Sequence, residues 1–128
     1  MPRTTGRWHF VLSLLGGALG VFLALTAAAS AQTGDQACIK YYKCISVAKF
    51  DCTAVRRDKN VKRVCYKPAQ QYLVIWFGSS PYHFCGVEPG MTAKLLAAAN
   101  KDEFFNESIR SSATEGKYDC RNHTIPEP

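Results

Sequence analysis

Tyr72-Leu73-Val74-Ile75-Trp76-Phe77, Gly78-Ser79-Ser80-Pro81 and Tyr82-His83-Phe84-Cys85-Gly86-Val87 follow one another without interruption in this chain. Two runs rich in aromatic and β-branched residues flank a turn of Gly, Ser and Pro, which predicts a β-hairpin. In the first run Leu73, Ile75 and Phe77 alternate with Tyr72, Val74 and Trp76. Because both alternating sets are apolar, we expect a central strand that is covered on both faces.

The first 31 residues have the features of a secretory signal peptide. Arg3 and Arg7 are followed by an apolar run without charges, and Ala29-Ser30-Ala31 supplies the small residues of a cleavage site. We predict cleavage between Ala31 and Gln32, export to the periplasm or the medium, and a mature chain of 97 residues with no membrane span. The alternative is an uncleaved N-terminal anchor, because the apolar run approaches the length of a spanning helix.

The composition describes a small and mildly basic domain. The whole chain has 16 Lys and Arg against 10 Asp and Glu, and the predicted signal peptide contains two of the Arg and none of the acids. A mature net charge of +4 does not by itself indicate nucleic-acid binding. A chain of this length suits one domain with a limited core.

Six cysteines follow the predicted cleavage site: Cys38, Cys44, Cys52, Cys65, Cys85 and Cys120. An even number in a short exported chain predicts three disulfides. Zinc is the competing interpretation, but no two cysteines have the C-x₂-C or C-x₄-C spacing of a zinc site, and only two His accompany them. Six cysteines allow 15 pairings, which the spacing alone does not distinguish.

One basic cluster precedes the hairpin and contains Arg56, Arg57, Lys59, Lys62, Arg63 and Lys67. Such a cluster is a candidate contact surface for an anionic partner: a phosphate backbone, an acidic polysaccharide or a membrane surface. The interpretation that we favour is a solvated turn, at Asp58-Lys59-Asn60, followed by the exposed face of a strand.

Helical patterns follow the hairpin. Pro89-Gly90 predicts a break in regular structure. Thr92 is the predicted cap of a helix that begins near Ala93. The predicted buried stripe of that helix contains Leu95, Leu96 and Ala99. Phe104, Phe105 and Ile109 predict a second short helical segment. We therefore expect an α+β fold with a small antiparallel meander of about three to five strands, packed by one or two short helices and joined to a disulfide-tied N-terminal extension.

Catalytic chemistry has one candidate pair, His83 and Cys85, which share a strand face. The even cysteine count implies that Cys85 is oxidised and cannot act as a nucleophile. We therefore predict no catalytic residue, no metal site, no cofactor and no enzymatic activity.

Five short motifs follow one another along the chain. In order they are Val64-Cys65-Tyr66, Leu73-x-Ile75-x-Phe77, Tyr82-x-Phe84-x-x-Val87, Leu95-Leu96-Ala97-Ala98 and Phe104-Phe105-Asn106-x-x-Ile109-Arg110. The series resembles the KTSC domain, which is found at the C-terminus of some lysyl-tRNA synthetases. The resemblance covers Val61 to Arg121 and implies a small α+β fold, with motif positions Tyr82, Phe84, Phe105, Asn106 and Ile109. Asp102 stands where the family has Gly, a position at which we expect a left-handed backbone. The family has no established function, and RNA binding is a suggestion from its domain association.

These observations predict four segments: a signal peptide at 1–31, a Cys-rich extension at 32–60, a KTSC-like domain at 61–121 and a tail at 122–128. The extension and the 93–110 helical region are expected to cover opposite faces of the sheet. For the disulfides we expect Cys52–Cys120 to tie the extension to the tail, Cys65–Cys85 to join one sheet face, and Cys38–Cys44 to close a local loop.

The expected function is that of a monomeric, non-catalytic binding module whose partner is an unknown protein or an anionic polymer. The alternative is nucleic-acid binding, specifically RNA, through the 56–67 basic cluster and sheet aromatics such as Tyr82.

Overall fold

The computed structural model describes residues 33–128, and the predicted signal peptide and its cleavage site lie outside that range. A hairpin of β1 (Gln36–Cys38) and β2 (Cys44–Ser46) precedes an antiparallel meander of β3 (Asp51–Ala54), β4 (Val61–Lys67), β5 (Tyr72–Phe77) and β6 (Ser80–Phe84). The helices α1 (Pro89–Ala97), α2 (Lys101–Ser108) and α3 (Ser111–Thr114) follow. The α+β class and the meander are confirmed.

The quoted stretch forms the hairpin of β5 and β6. Phe77 lies opposite Ser80 across a two-residue turn, and Gly78 takes a left-handed φ of 61° that this tight turn requires. Strand β5 lies between β4 and β6, and its first four residues are buried. Its position confirms the central strand that the two apolar faces predict.

Two apolar cores lie on opposite faces of the meander, as the alternation in β5 predicts. The helix-side core includes Leu73 and Ile75 with residues of the helices, namely Leu95, Phe105 and Ile109. The extension-side core includes Tyr72 and Val74 with residues of the N-terminal segment, namely Ala37, Ile39, Ile45, Val47 and Phe50. The helices and the Cys-rich extension therefore cover opposite faces.

Helix α1 begins earlier than predicted. Pro89 is its first residue, where the fixed φ of proline suits a helix and its missing N–H has no intrahelical partner to lose. Thr92 is consequently a buried residue inside α1 and does not cap it, and Ala99 lies beyond its end and is exposed. Asn100 caps α2, because its side chain accepts a hydrogen bond from the Glu103 N–H at 3.0 Å. Within residues 33–128, no helix has the length and apolar character needed to cross a bilayer.

All six cysteines are paired, but two of the predicted pairs are wrong. The structure joins Cys38 to Cys44, the expected local loop, and then Cys52 to Cys65 and Cys85 to Cys120. Cys65 and Cys85 do share the extension-side core, but β5 lies between their strands. Two strand spacings amount to about 9.6 Å, whereas a disulfide requires Cα atoms within about 7 Å. Cys52 lies directly opposite Cys65 on the neighbouring strand and takes its place.

Candidate ligand-binding clefts beside strand β6

An open cleft of about 820 Å³ lies between the β5–β6 hairpin and helices α2 and α3. We call it the motif cleft, and it is lined by Asn60, Phe77, Gly78, Tyr82, Phe84, Asp102, Phe105, Asn106, Arg110, Ser111 and Ser112. Four of the five motif positions from the sequence lie in this lining. The fifth, Ile109, is fully buried in the helix-side core beneath α2.

Four aromatic rings form the apolar part of the motif cleft. The ring of Phe77 lies 5.8 Å from that of Tyr82 and 4.7 Å from that of Phe105, while Phe84 and Phe105 are 5.2 Å apart between centroids. The ring planes meet at 57–70°. Because the rings are tilted against one another, they line a concavity and do not form a flat stacking platform.

The polar rim of the motif cleft combines Asp102 and Asn106 of α2 with Arg110, which lies two residues beyond the end of that helix, and with Asn60 of the β3–β4 turn. The Asn106 amide donates to the Asp102 carbonyl at 2.9 Å, and its oxygen accepts from the Arg110 guanidinium at 3.1 Å. The Asp102 carboxylate accepts from the Asn60 amide at 2.8 Å. Asp102 lies in the first turn of α2, so the left-handed backbone expected there is wrong and the side chain instead joins the rim.

Asp58 holds the β3–β4 turn against the start of α2 and thereby places Asn60 on this rim. One carboxylate oxygen accepts from the N–H groups of Asn60 and Val61, and the other accepts from the Lys101 N–H at 2.8 Å. Burial raises the pKa of Asp58, but these backbone donors outweigh it and leave the pKa below its usual value.

The basic cluster is dispersed in the fold. Arg56 and Arg57 line a separate cleft of about 440 Å³ at the edge of β3. The Lys62 ammonium donates to the carbonyls of its own turn. The Arg63 guanidinium lies 4.8 Å from the Trp76 ring, and the Lys67 ammonium lies 5.8 Å from the Phe50 ring, both on the extension side. The lining of the motif cleft contains none of the six cluster residues, Lys59 included.

A second cleft of about 420 Å³ adjoins the motif cleft. We call it the loop cleft, and it is lined by Lys40, Tyr41, Tyr82, His83, Phe84, Ser111, Asp119, Cys120 and Arg121. Tyr82, Phe84 and Ser111 line both clefts, so the two clefts adjoin each other along β6.

Two tyrosines, Tyr72 and Tyr42, contact the His83 imidazole beside the loop cleft. The Tyr72 hydroxyl lies 2.9 Å from its Nδ1, and the Tyr42 ring lies 4.9 Å from the imidazole centroid. Burial lowers the pKa of His83, although the nearby Asp119 carboxylate opposes that shift. Cys85, the other member of the candidate catalytic pair, is bonded to Cys120.

Sequence reasoning missed the loop cleft and the polar side of the motif cleft. Asn106 is a motif position, but its partner Arg110 lies beyond the end of α2 at Ser108, so helix periodicity does not predict their contact. Tyr41 and Lys40 reach the loop cleft only because β1 and β2 fold against β6, and no local pattern predicts that contact.

The comparison with protein-family models agrees with the resemblance found in the sequence. The KTSC domain family model matches residues 57–112. Among solved structures, the crystal structure of a KTSC domain protein from Yersinia pestis is similar, with 21% identity and a TM-score of 0.46, covering 54% of this chain and 90% of that one. No curated protein matches the chain by sequence.

Proposed function

We propose that this chain, which the KTSC domain family model matches over residues 57–112, is an exported, non-catalytic binding module that receives an apolar side chain of a protein partner in the motif cleft. One observation carries the proposal. Tyr82, Phe84, Phe105 and Asn106, four positions of the KTSC motif, come from a strand and a helix and meet in the lining of one open cleft.

The chemistry of the motif cleft suits such a ligand. Its volume of about 820 Å³ is within the range of ligand sites. The tilted rings around Phe105 would surround a compact apolar group, and burying one such side chain is worth about 1.5–3 kcal/mol. Asn106 and Arg110 on the rim offer hydrogen bonds to the backbone carbonyls or carboxylates of the bound segment.

The state of Cys85 supports a non-catalytic role. A cysteine nucleophile must be a thiolate, and the Cys85 sulfur is covalently bonded to Cys120. His83 is engaged by the Tyr72 hydroxyl and stacked by Tyr42, which is a structural use of the imidazole.

Export is supported by the signal-peptide pattern of residues 1–31 and by the disulfides, which persist in oxidising compartments. N-terminal sequencing of the protein recovered from a periplasmic fraction or the medium tests it. We expect the chain to begin at Gln32. Recovery of the full-length chain in the membrane fraction would favour the anchored alternative.

A substitution that fills the motif cleft with a large side chain tests the binding proposal. Dodecapeptides are selected from a random display library against the mature, oxidised protein, and their Kd values are measured by fluorescence anisotropy. We expect enrichment of peptides with a large apolar residue, and at least tenfold weaker binding to Ser112→Trp, whose indole would occupy the cleft.

Ala113→Trp is the matched control, because Ala113 is an exposed neighbour in α3 that is outside the cleft lining. Its Kd should stay within twofold of wild type. Failure to enrich any peptide, or equal binding by wild type and Ser112→Trp, would contradict the proposal.

The nucleic-acid alternative requires exposed aromatics on a basic surface. Tyr82 lines a cleft from which the cluster Arg56, Arg57, Lys59, Lys62, Arg63 and Lys67 is absent. We expect no measurable binding of a labelled 20-nucleotide poly(U) at 50 mM salt. Tight binding that falls steeply with salt would instead favour this alternative.

A further inference from the structure

Strand β6 is an edge of the meander, and its hydrogen-bonding pattern can be worked out from the hairpin register. Phe77 and Ser80 flank a two-residue turn and form a hydrogen-bonded pair, so the pairing alternates from there along β6. Pro81, His83 and Cys85 consequently turn their backbone groups away from β5. Two contacts agree: the Pro81 carbonyl accepts from the Lys40 N–H, and the Cys85 N–H donates to the Tyr118 carbonyl, each at 2.9 Å.

His83 lies between these two covered positions. Among the hydrogen bonds of residues 33–128, no partner outside the sheet ladder engages the His83 backbone N–H or C=O. His83 also lines the loop cleft. The His83 backbone therefore offers one donor and one acceptor at the edge of β6, beside the loop cleft, in the arrangement that an antiparallel strand would pair with.

The loop over this edge is cross-linked by a disulfide and by backbone hydrogen bonds. Cys38 and Cys44 close it, Ile39 is buried as its anchor, and its backbone is crossed by bonds from the Ile39 N–H to the Lys43 carbonyl and from the Tyr42 N–H to the Ile39 carbonyl. At its tip Tyr41 has a φ of 64°, which an aromatic residue rarely adopts, and the residue is 91% exposed. The fold thus holds an aromatic ring in solvent at the mouth of the loop cleft.

Lys40 is the available cation of the loop cleft. Its ammonium lies 5.4 Å from the Tyr41 ring and 5.8 Å from the Tyr82 ring. Lys43 is paired with Glu127 at 2.8 Å, and Arg121 is paired with Asp119. Within residues 33–128 no carboxylate lies in ion-pair range of Lys40, so its charge is complementary to an incoming acid.

We propose that the partner is an extended acidic polypeptide segment, bound by a short β-addition to the edge of β6 at His83. This inference rests on the proposed function and adds the orientation and chemistry of the ligand. A carboxylate of the segment pairs with Lys40 between the rings of Tyr41 and Tyr82. Since Tyr82 lines both clefts, a neighbouring apolar side chain of the same segment enters the motif cleft.

The geometry favours a polypeptide over a glycan or a nucleic acid. A backbone N–H and C=O pair on an edge strand matches the backbone of another polypeptide, which is how β-addition sites recognise their ligands. The tilted rings of the motif cleft line a concavity that suits a side chain, and they do not form the flat platform on which a sugar ring or a base would stack. Pro81 and Cys85 are four residues apart, about 14 Å along the strand, so the addition is limited to about three residues.

Charge substitutions on the loop test the carboxylate contact. A peptide selected as above is titrated against Lys40→Gln and against Lys43→Gln, a matched control on the same loop whose cation already has a partner. We expect at least fivefold weaker binding for Lys40→Gln and less than a twofold change for Lys43→Gln. Tyr41→Ala should weaken binding in the same direction.

N-methylation of each amide of that peptide in turn tests the β-addition. Methylating the one amide that donates to the His83 carbonyl should weaken binding at least tenfold, while methylation of the solvent-facing amides beside it should not. A peptide that loses binding to Ser112→Trp but is indifferent to Lys40→Gln and to every N-methyl group would overturn this inference and leave the proposed function intact. Binding that survives all of these changes, or no enriched peptide, would overturn both.

Discussion

The two faces of the meander are covered in different ways. The helix side is closed by large apolar side chains on regular helices, among them Leu95, Phe105 and Ile109. The extension side is closed by a short hairpin and a tail, and Cys65, Cys85 and Cys120 are part of its core. The disulfide Cys38–Cys44 joins the two strands of that hairpin. All three bridges therefore involve the extension or the face that it covers.

The two covers differ in how much apolar burial each can contribute to stability. A helix presents a repeated apolar stripe and satisfies its own backbone, so burial alone can hold it in place. The part of the extension that covers this face, residues 33–50, has two three-residue strands and contributes few large side chains to its core. The disulfides compensate for the small apolar burial of this cover, because they lower the conformational entropy of the unfolded chain.

The largest expected effect is the loss of Cys85–Cys120. This bridge spans 35 residues, and the double variant Cys85→Ala, Cys120→Ala should lose about 4 kcal/mol of unfolding free energy by the chain-entropy relation. Denaturant unfolding of the mature, oxidised protein measures it. A loss below about 1 kcal/mol would show that the extension side does not depend on its cross-links.

A somewhat smaller loss is expected on the helix side. Leu95 is fully buried in the helix-side core, and Leu95→Ala should cost about 3 kcal/mol through lost burial and a residual cavity. Its exposed neighbour Lys94 provides the control, since Lys94→Ala should change the unfolding free energy by less than about 0.5 kcal/mol. Equal effects of the two substitutions would mean that α1 does not hold its side of the sheet by burial.

The bridge Cys38–Cys44 should matter less, because it closes only six residues. The double variant Cys38→Ala, Cys44→Ala is expected to lose about 2 kcal/mol. Amide hydrogen exchange should accelerate in residues 36–46 and remain slow in α1 and α2. Faster exchange in the helices would show that the two covers are not independent.

The smallest effects are those of pH, and they separate the two sides. On the helix side, hydrogen bonds from Lys117 and Tyr118 lower the pKa of Glu88 from its usual 4.5 to about 2. Its contribution to stability is therefore complete above pH 4.5 and is lost as the pH falls towards 2. Glu88→Gln should flatten the stability profile in that window, measured by thermal unfolding. An unchanged slope would contradict the ion pair of Glu88 with Lys117, in which Nζ lies 2.9 Å from Oε1.

On the extension side, burial among Tyr42 and Tyr72 lowers the pKa of His83 below its usual 6.5, against the opposing effect of the Asp119 carboxylate. The unfolded chain takes up the proton first, so stability should begin to fall as the pH drops below 6.5. His83→Gln should remove this slope between pH 7 and 5. A slope that persists in the variant would assign the effect to another group.

Local pattern was sufficient for several elements. Alternating apolar residues in β5 predict two covered faces, because successive side chains of a strand point in opposite directions. The turn at Gly78 and the position of Pro81 follow from local chemistry as well, since Pro81 lacks the N–H that an outward-facing edge position leaves unpaired. The start of α1 at Pro89 was also predictable, and it was missed because Pro-Gly was interpreted as a break.

What the sequence determined is therefore the number of covered faces, the α+β class, the presence of disulfides and the KTSC resemblance, all of which depend on residue type and short-range periodicity. Tertiary structure decided the rest. Cys52 displaces Cys85 as the partner of Cys65 because strand order sets distances that spacing along the chain does not. The motif cleft forms where β6 faces α2 and α3, and the loop cleft forms where β6 meets the Cys38–Cys44 loop and residues 119–121. Tyr82 lines both because it lies on β6 between them.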